Sequence, residues 1–150
     1  MQVFQGIAER EKAGGAHLGY GGWHTVTQEQ ITLVADATGD HQWIHVDPER
    51  AAAGPFGSTV AHGFLTLSLL PLLVAQVYRV EGLSMAVNYG LNKVRFPAPV
   101  PAGSRLRAGV ELISLLPGAN GAQATSRVTA EIDGSARPAC VAEWLALLVS

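Results

Sequence analysis

Residues 64–80 constrain the fold more than any other stretch. Placed on a helix, Phe64, Leu65, Leu67, Leu69, Leu70, Leu72, Leu73, Val74 and Val77 leave almost no polar side. Such a helix has to be wrapped by other structure. The run approaches the length of a membrane span, but Pro71, Gln76 and Arg79 interrupt it, so it reads as a core helix over about 62–79. Pro71 lacks an amide hydrogen and is expected to kink this helix or free a carbonyl within it.

What could wrap the helix follows from residue 84 onward, where the period changes to two. Arg105, Arg107 and Glu111 alternate with Leu106, Ala108, Val110 and Leu112, and Gln123, Thr125, Arg127, Thr129 and Glu131 alternate with Ala124, Ser126, Val128, Ala130 and Ile132. Each run is a strand with one wet and one buried face. Leu116-Pro117-Gly118-Ala119-Asn120-Gly121 predicts a hairpin loop, and Asp133-Gly134 predicts a tight turn before the largely apolar 139–149. Four strands in an antiparallel meander, following one apolar helix, argue for an α+β fold in a single domain over 1–150.

The first third of the chain carries the chemistry. Thr27-Gln28-Glu29-Gln30 is a capping-box pattern that opens a short helix with an apolar stripe at Ile31, Val34 and Ala35. Gly39 suits the left-handed position that ends it, which makes Asp40 the first loop residue, free to point into a cleft. Asp47-Pro48 starts a further turn of helix, with Asp47 as its cap and so structural rather than catalytic. Between them lies Asp40-His41-Gln42-Trp43-Ile44-His45, which presents a carboxylate and an imidazole together in a short loop. Ala61-His62-Gly63-Phe64 then places the Gly63 amide where a helix start can bind negative charge. An acid–base pair beside an anion-binding amide suggests an enzyme. His41 and His45 have the spacing of a metal face on a helix, but a loop conformation, one cysteine and no clear third ligand argue against a metal.

Composition narrows the partners. With 48% apolar and 15% charged residues, there is apolar surface enough for a subunit interface as well as a core, so an oligomer is expected. Ten basic residues face twelve acidic ones and only Lys12 and Lys93 are lysines, which leaves no basic stripe for nucleic acid. Cys140 has no disulfide partner, and residues 1–12 lack a basic region leading into an apolar one, so a reducing, cytoplasmic setting is expected with no membrane association. His17 and His24 read as surface residues.

The Asp40-to-His45 loop, Ala61-His62-Gly63-Phe64 and Asn92-Lys93-Val94-Arg95-Phe96-Pro97 together resemble the MaoC-like dehydratases, or (R)-specific enoyl-CoA hydratases. The family motif has Gly-Asp, usually Asn-Pro, a branched aliphatic residue and His. Gly39-Asp40, Ile44 and His45 fill those places, and Gln42-Trp43 departs from Asn-Pro. The resemblance implies a hot-dog fold, a sheet wrapped around a central helix, with an inserted helix-loop segment over about 27–53 that carries the active site. It also implies a homodimer acting on acyl thioesters of CoA or a carrier protein, with no cofactor or metal. Asp40 and His45 would then activate water for addition to a trans-2-enoyl thioester, and the Gly63 amide would stabilise the enolate-like state. Trp43, His62, Asn92, Lys93 and Arg95 would meet substrate, His62 by orienting the loop. Asn88, Tyr89 and Asn92 fit either a substrate tunnel or strand-edge hydrogen bonds, and Lys93, Arg95, Arg105 and Arg107 fit either CoA phosphates or solvated strand faces. A hot-dog thioesterase and a non-catalytic acyl-thioester-binding subunit are the rival functions.

Overall fold

The computed structural model describes residues 1–150. In chain order the elements are β1 (Gln2–Phe4), α1 (Ile7–Lys12), β2 (His17–Tyr20), β3 (His24–Thr25), α2 (Gln28–Thr38), α3 (Trp43–Val46) and α4 (Pro48–Ala52). These are followed by α5 (Gly63–Ser68), α6 (Leu70–Val74), β4 (Tyr78–Val80), β5 (Met85–Arg95), β6 (Arg105–Gly118), β7 (Gly121–Ile132) and β8 (Cys140–Val149). The main sheet is antiparallel in the order β2-β6-β7-β8-β5, with β3 also on β6. Leu65, Leu70, Leu73 and Val77 share one buried cluster with Leu106, Val110, Leu112, Val128 and Ala142 of the sheet. Each such side chain removed from water contributes roughly 1.5–3 kcal/mol. A sheet covering a helical core is thus what the sequence pattern requires.

The central helix differs from the expected 62–79 in three ways. It forms as two pieces, α5 and α6, joined through Leu69, whose backbone stays right-handed helical. Pro71 sits in the first turn of α6, where its missing N–H costs least. The end of the expected helix, Tyr78–Val80, is instead a strand pairing in parallel with Gln2–Phe4, because an extended partner waits beside it. Nor is the helix covered all round: Phe64 is 75% exposed and Leu72 47%.

The sheet also departs from a simple meander. Only β6, β7 and β8 follow one another; β5 pairs with β8 at the opposite edge from β6. Pro97, Pro99 and Pro101 follow β5, and this donor-poor stretch carries the chain across to β6. The wet faces match the alternation: Arg107 pairs with Glu131 at 2.9 Å, Arg127 with Glu111 at 2.8 Å, and Arg105 with Asp133. Arg105 and Arg107 therefore belong to the solvated strand face. His24 is half-buried rather than on the surface, and its Nε2 lies 3.1 Å from Gln30 Oε1. Gln30 is thereby engaged, and only the Thr27 half of the capping box is present, with Thr27 Oγ1 accepting from Gln30 N at 3.1 Å. No helix is long and apolar enough to cross a membrane.

The β6–β7 hairpin is tighter than the sequence pattern implies, since Leu116 and Pro117 lie within β6 and Ala119-Asn120 alone connect the strands. Gly121 has φ 149°, and a Cβ there would lie 1.8 Å from the Leu148 carbonyl oxygen. Gly121→Ala is expected to lower stability by more than about 1 kcal/mol. Urea unfolding checks this, and an unchanged midpoint would contradict it.

Candidate active site

Local rules set the entrance to the site. Gly39, at φ 81°, ends α2 and donates its N–H to Ala35 O at 2.8 Å. Asp40 follows, exposed, with its Oδ1 3.4 Å from Gln42 N. The chain then makes a single helical turn, α3, where a short loop was expected, and this turn carries His45 inward to 7% exposure. Asp47 closes the segment, capping α4 by accepting from Arg50 N at 3.1 Å, with Pro48 in the first turn.

Residues 59–61 form the back wall. Val60 bridges to Pro101 and donates its N–H to Ile44 O at 2.9 Å, while Ala61 N bonds Val100 O at 2.8 Å. Gln28 ties this wall to α3: its Nε2 donates to His45 O at 2.8 Å and its Oε1 accepts from Thr59 Oγ1. His45 is therefore held by its main chain as well as by its ring. Its Nδ1 lies 2.6 Å from the Val60 carbonyl oxygen. A carbonyl only accepts, so Nδ1 carries the hydrogen, and Nε2 of the neutral ring is left as an acceptor.

His62, 4% exposed, is set the opposite way. Its Nε2 lies 3.0 Å from the Asp40 carbonyl oxygen, so Nε2 bears the hydrogen, and Nδ1 is buried with no partner. The two imidazole rings stack with centroids 3.9 Å apart at 23°. Polar atoms of Asp40, His45 and His62 all lie within 4.8 Å of one another. Imidazole lone pairs lie in the ring plane, so two nearly parallel rings do not converge on a single ion as a tetrahedral centre demands. A small hydrogen-bonding molecule such as water suits the cluster better. His41 takes no part in it; its Nε2 pairs with Asp36 at 2.9 Å on the surface.

The remaining candidates lie outside this cluster. Gly63 is exposed at the start of α5, no side chain caps that helix, and the Gly63 N–H has no main-chain acceptor. The Phe96 ring covers one side of it, 3.2 Å from where a Cβ would stand. Trp43 packs against Gly54 beneath the Arg50 guanidinium, 4.3 Å from the ring centroid. It braces α3 against α4. Asn92, Lys93 and Arg95 are exposed on β5, and Arg95 Nη1 turns back to the Val94 carbonyl at 2.7 Å.

Of the residues offered for a substrate tunnel, Asn88 lines an apolar groove whose other walls the sequence did not single out. A cavity of about 430 Å³ lies between α6 with β4 and the strands β5, β7 and β8. A second, of about 300 Å³, shares Pro71, Asn88 and Trp144 with it and reaches Leu67 and Ser68 on α5. Trp144 Nε1 donates to Asn88 Oδ1 at 3.1 Å, fixing two of the shared walls. The small residues Ala86, Ala124 and Ala146, on three strands, were the available signal.

Comparison with known proteins matches residues 10–132 to the MaoC like domain family. A 3-hydroxyacyl-thioester dehydratase Z from Mycobacterium tuberculosis is 58% identical over 151 residues, covering 100% of both chains. Among solved structures, an (R)-hydratase from A. caviae superposes with TM-score 0.72 at 24% identity over 90% of this chain and 96% of that one. An R-hydratase from Pseudomonas aeruginosa gives TM-score 0.72 at 25% identity over 95% and 84%. The chain belongs to the MaoC-like family and has its hot-dog fold.

The Asp36 carboxylate, chiefly through its hydrogen bond, holds the pKa of His41 above the ordinary 6.5. Any stability this pair adds is present below the unfolded pKa of His41 and is lost as pH rises through the folded one. Proton NMR titration is expected to place His41 above 6.5 and to show it falling in Asp36→Asn; an unmoved His41 would contradict the pairing.

Proposed function

We propose that this MaoC-like protein is a hydro-lyase that adds water reversibly across trans-2-enoyl thioesters to give (R)-3-hydroxyacyl thioesters. The observation that carries the reading is the buried His45, locked by Val60 so that Nε2 is the free base, beside the Asp40 carboxylate. The full-length identity to a named dehydratase supports it.

One water sits between the Asp40 carboxylate and His45 Nε2. As its oxygen bonds C3, a proton passes to the pair, the C2–C3 π electrons move onto the thioester, and charge develops on its oxygen. The unpaired Gly63 N–H receives that charge; one such donor is typically worth on the order of 10²- to 10³-fold in rate. The pair then returns a proton to C2 on the same face. The reverse sequence dehydrates the 3-hydroxyacyl thioester. His62 fixes the Asp40 main chain and backs the His45 ring.

The groove running from α5 past Asn88 and Trp144 takes the acyl chain. With Arg105 and Arg107 committed to carboxylates, Lys93 and Arg95 are left on β5 as partners for CoA phosphates. A second copy of the chain covers β5. This strand has one neighbour only, β8, and exposes Met85, Val87, Tyr89 and Leu91. An apolar edge of that length left in water invites pairing with another chain.

Asp40→Asn and His45→Gln are each expected to lower turnover of crotonyl-CoA by about 10²- to 10⁴-fold with the fold retained. Loss of enoyl absorbance without thiol release is the readout; thiol release would mean a thioesterase, and near-normal turnover in either variant would sink the assignment. Asp47→Asn is expected to cost about 1 kcal/mol in stability and little in turnover, since it loses a cap. Tyr89→Asp should shift sedimentation from dimer to monomer, and a monomeric parent protein would refute the β5 interface.

A further inference from the structure

Arg10 stands in Glu9-Arg10-Glu11-Lys12, a run that reads as a solvated charge cluster, yet its side chain is fully buried. Its guanidinium makes one hydrogen bond, from Nη2 to Ser126 Oγ at 3.4 Å, while Nε and Nη1 have no acceptor. It joins no ion pair; the acidic partners of the other arginines are all engaged elsewhere. An arginine cannot shed its proton, and a buried charge without a partner is strongly unfavourable. Such a group persists where something outside the folded chain satisfies it.

Ser126 leads to what that is. It lines the larger cavity, the one between α6 and the sheet, but not the smaller one that reaches α5. It therefore stands in the part of the groove remote from the helix start at Gly63. Its oxygen accepts from Arg10, so its hydroxyl hydrogen is free to donate, and no protein group receives it. Most of the surrounding wall, Val74, Val80, Ala124 and Leu148 among it, is apolar; Arg79 also lines it but is paired with Glu81 at 2.6 Å, and Asn88 accepts from Trp144. A methylene chain fits those walls, and an anionic oxygen fits the Ser126–Arg10 pair.

We propose that the groove selects acyl chains ending in a carboxylate, the thioesters of dicarboxylic acids. The inference rests on the reading of the groove as the acyl channel. The distal carboxylate accepts from Ser126 and supplies the negative charge that Arg10 lacks. Folding has already withdrawn Arg10 from bulk solvent, so the ligand gains a charge-assisted bond without taking the cation out of bulk water. A methyl-terminated chain of equal length leaves the cation uncompensated and is disfavoured.

The test is calorimetric binding of unreactive saturated thioesters, adipoyl-, suberoyl- and sebacoyl-CoA against hexanoyl-, octanoyl- and decanoyl-CoA. The protein is expected to bind the carboxylate-ended member of at least one pair about tenfold or more tightly. Arg10→Met and Ser126→Ala should each abolish that preference, and Arg10→Met should melt higher than the parent because an unpaired buried charge is gone. Should Arg10→Met fail to fold, Ser126→Ala carries the test. Preference for the methyl-ended chain at every length, or a carboxylate preference that survives Ser126→Ala, would overturn the inference. Hydration of crotonyl-CoA followed in parallel separates the two readings: hydration with a methyl preference sinks only the selection, and carboxylate-selective binding without hydration of any enoyl thioester sinks only the enzyme.

Discussion

The hydrogen bond between His45 Nδ1 and the Val60 carbonyl, 2.6 Å long and buried, is the contact on which the site depends. It orients one imidazole and decides which of its nitrogens can act as a base. Val60 can serve because its own N–H is spent on Ile44 and its segment is clamped to Val100, Pro101 and Ala102. That clamp is one consequence of the crossover from β5 to β6, which lays residues 100–102 beside residues 59–61. The sheet topology thus reaches the chemistry through two main-chain bonds, Ala61 N to Val100 O and Ala102 N to Thr59 O, and one carbonyl.

Burial has a second effect. His45 and His62 are stacked out of water, and a main-chain oxygen fixes each ring through a different nitrogen. Asp40, by contrast, stays exposed where water can reach it. One face of the cluster is therefore rigid and dry, and the other is open to a substrate water. A similar division recurs in the groove, whose mainly apolar walls hold the Ser126 hydroxyl with the Arg10 cation behind it.

Features governed by neighbours within four residues were legible in the sequence. The Thr27 cap, the Gly39 stop, the Asp47-Pro48 helix start and the alternation along β6 and β7 all formed as the pattern implies. Those that needed a distant partner were not. Tyr78–Val80 looks helical until β1 lies beside it, and β5 looks like the neighbour of β6 until β8 takes it. Asp40, His45 and Gly63 stand out by residue type, whereas the His45–His62 stack is a contact through space that no spacing encodes. Arg10 misleads for the same reason: its charged sequence neighbours suggest a surface, and the fold puts it inside.

Nitrogen NMR of the imidazole rings, recorded where both histidines are neutral, reads out which nitrogen of each ring holds the hydrogen. His45 is expected to carry its hydrogen on Nδ1 and His62 on Nε2, opposite tautomers in one stacked pair. A His45 ring protonated on Nε2 would contradict it, because the nitrogen assigned to take the proton from water would then already hold one.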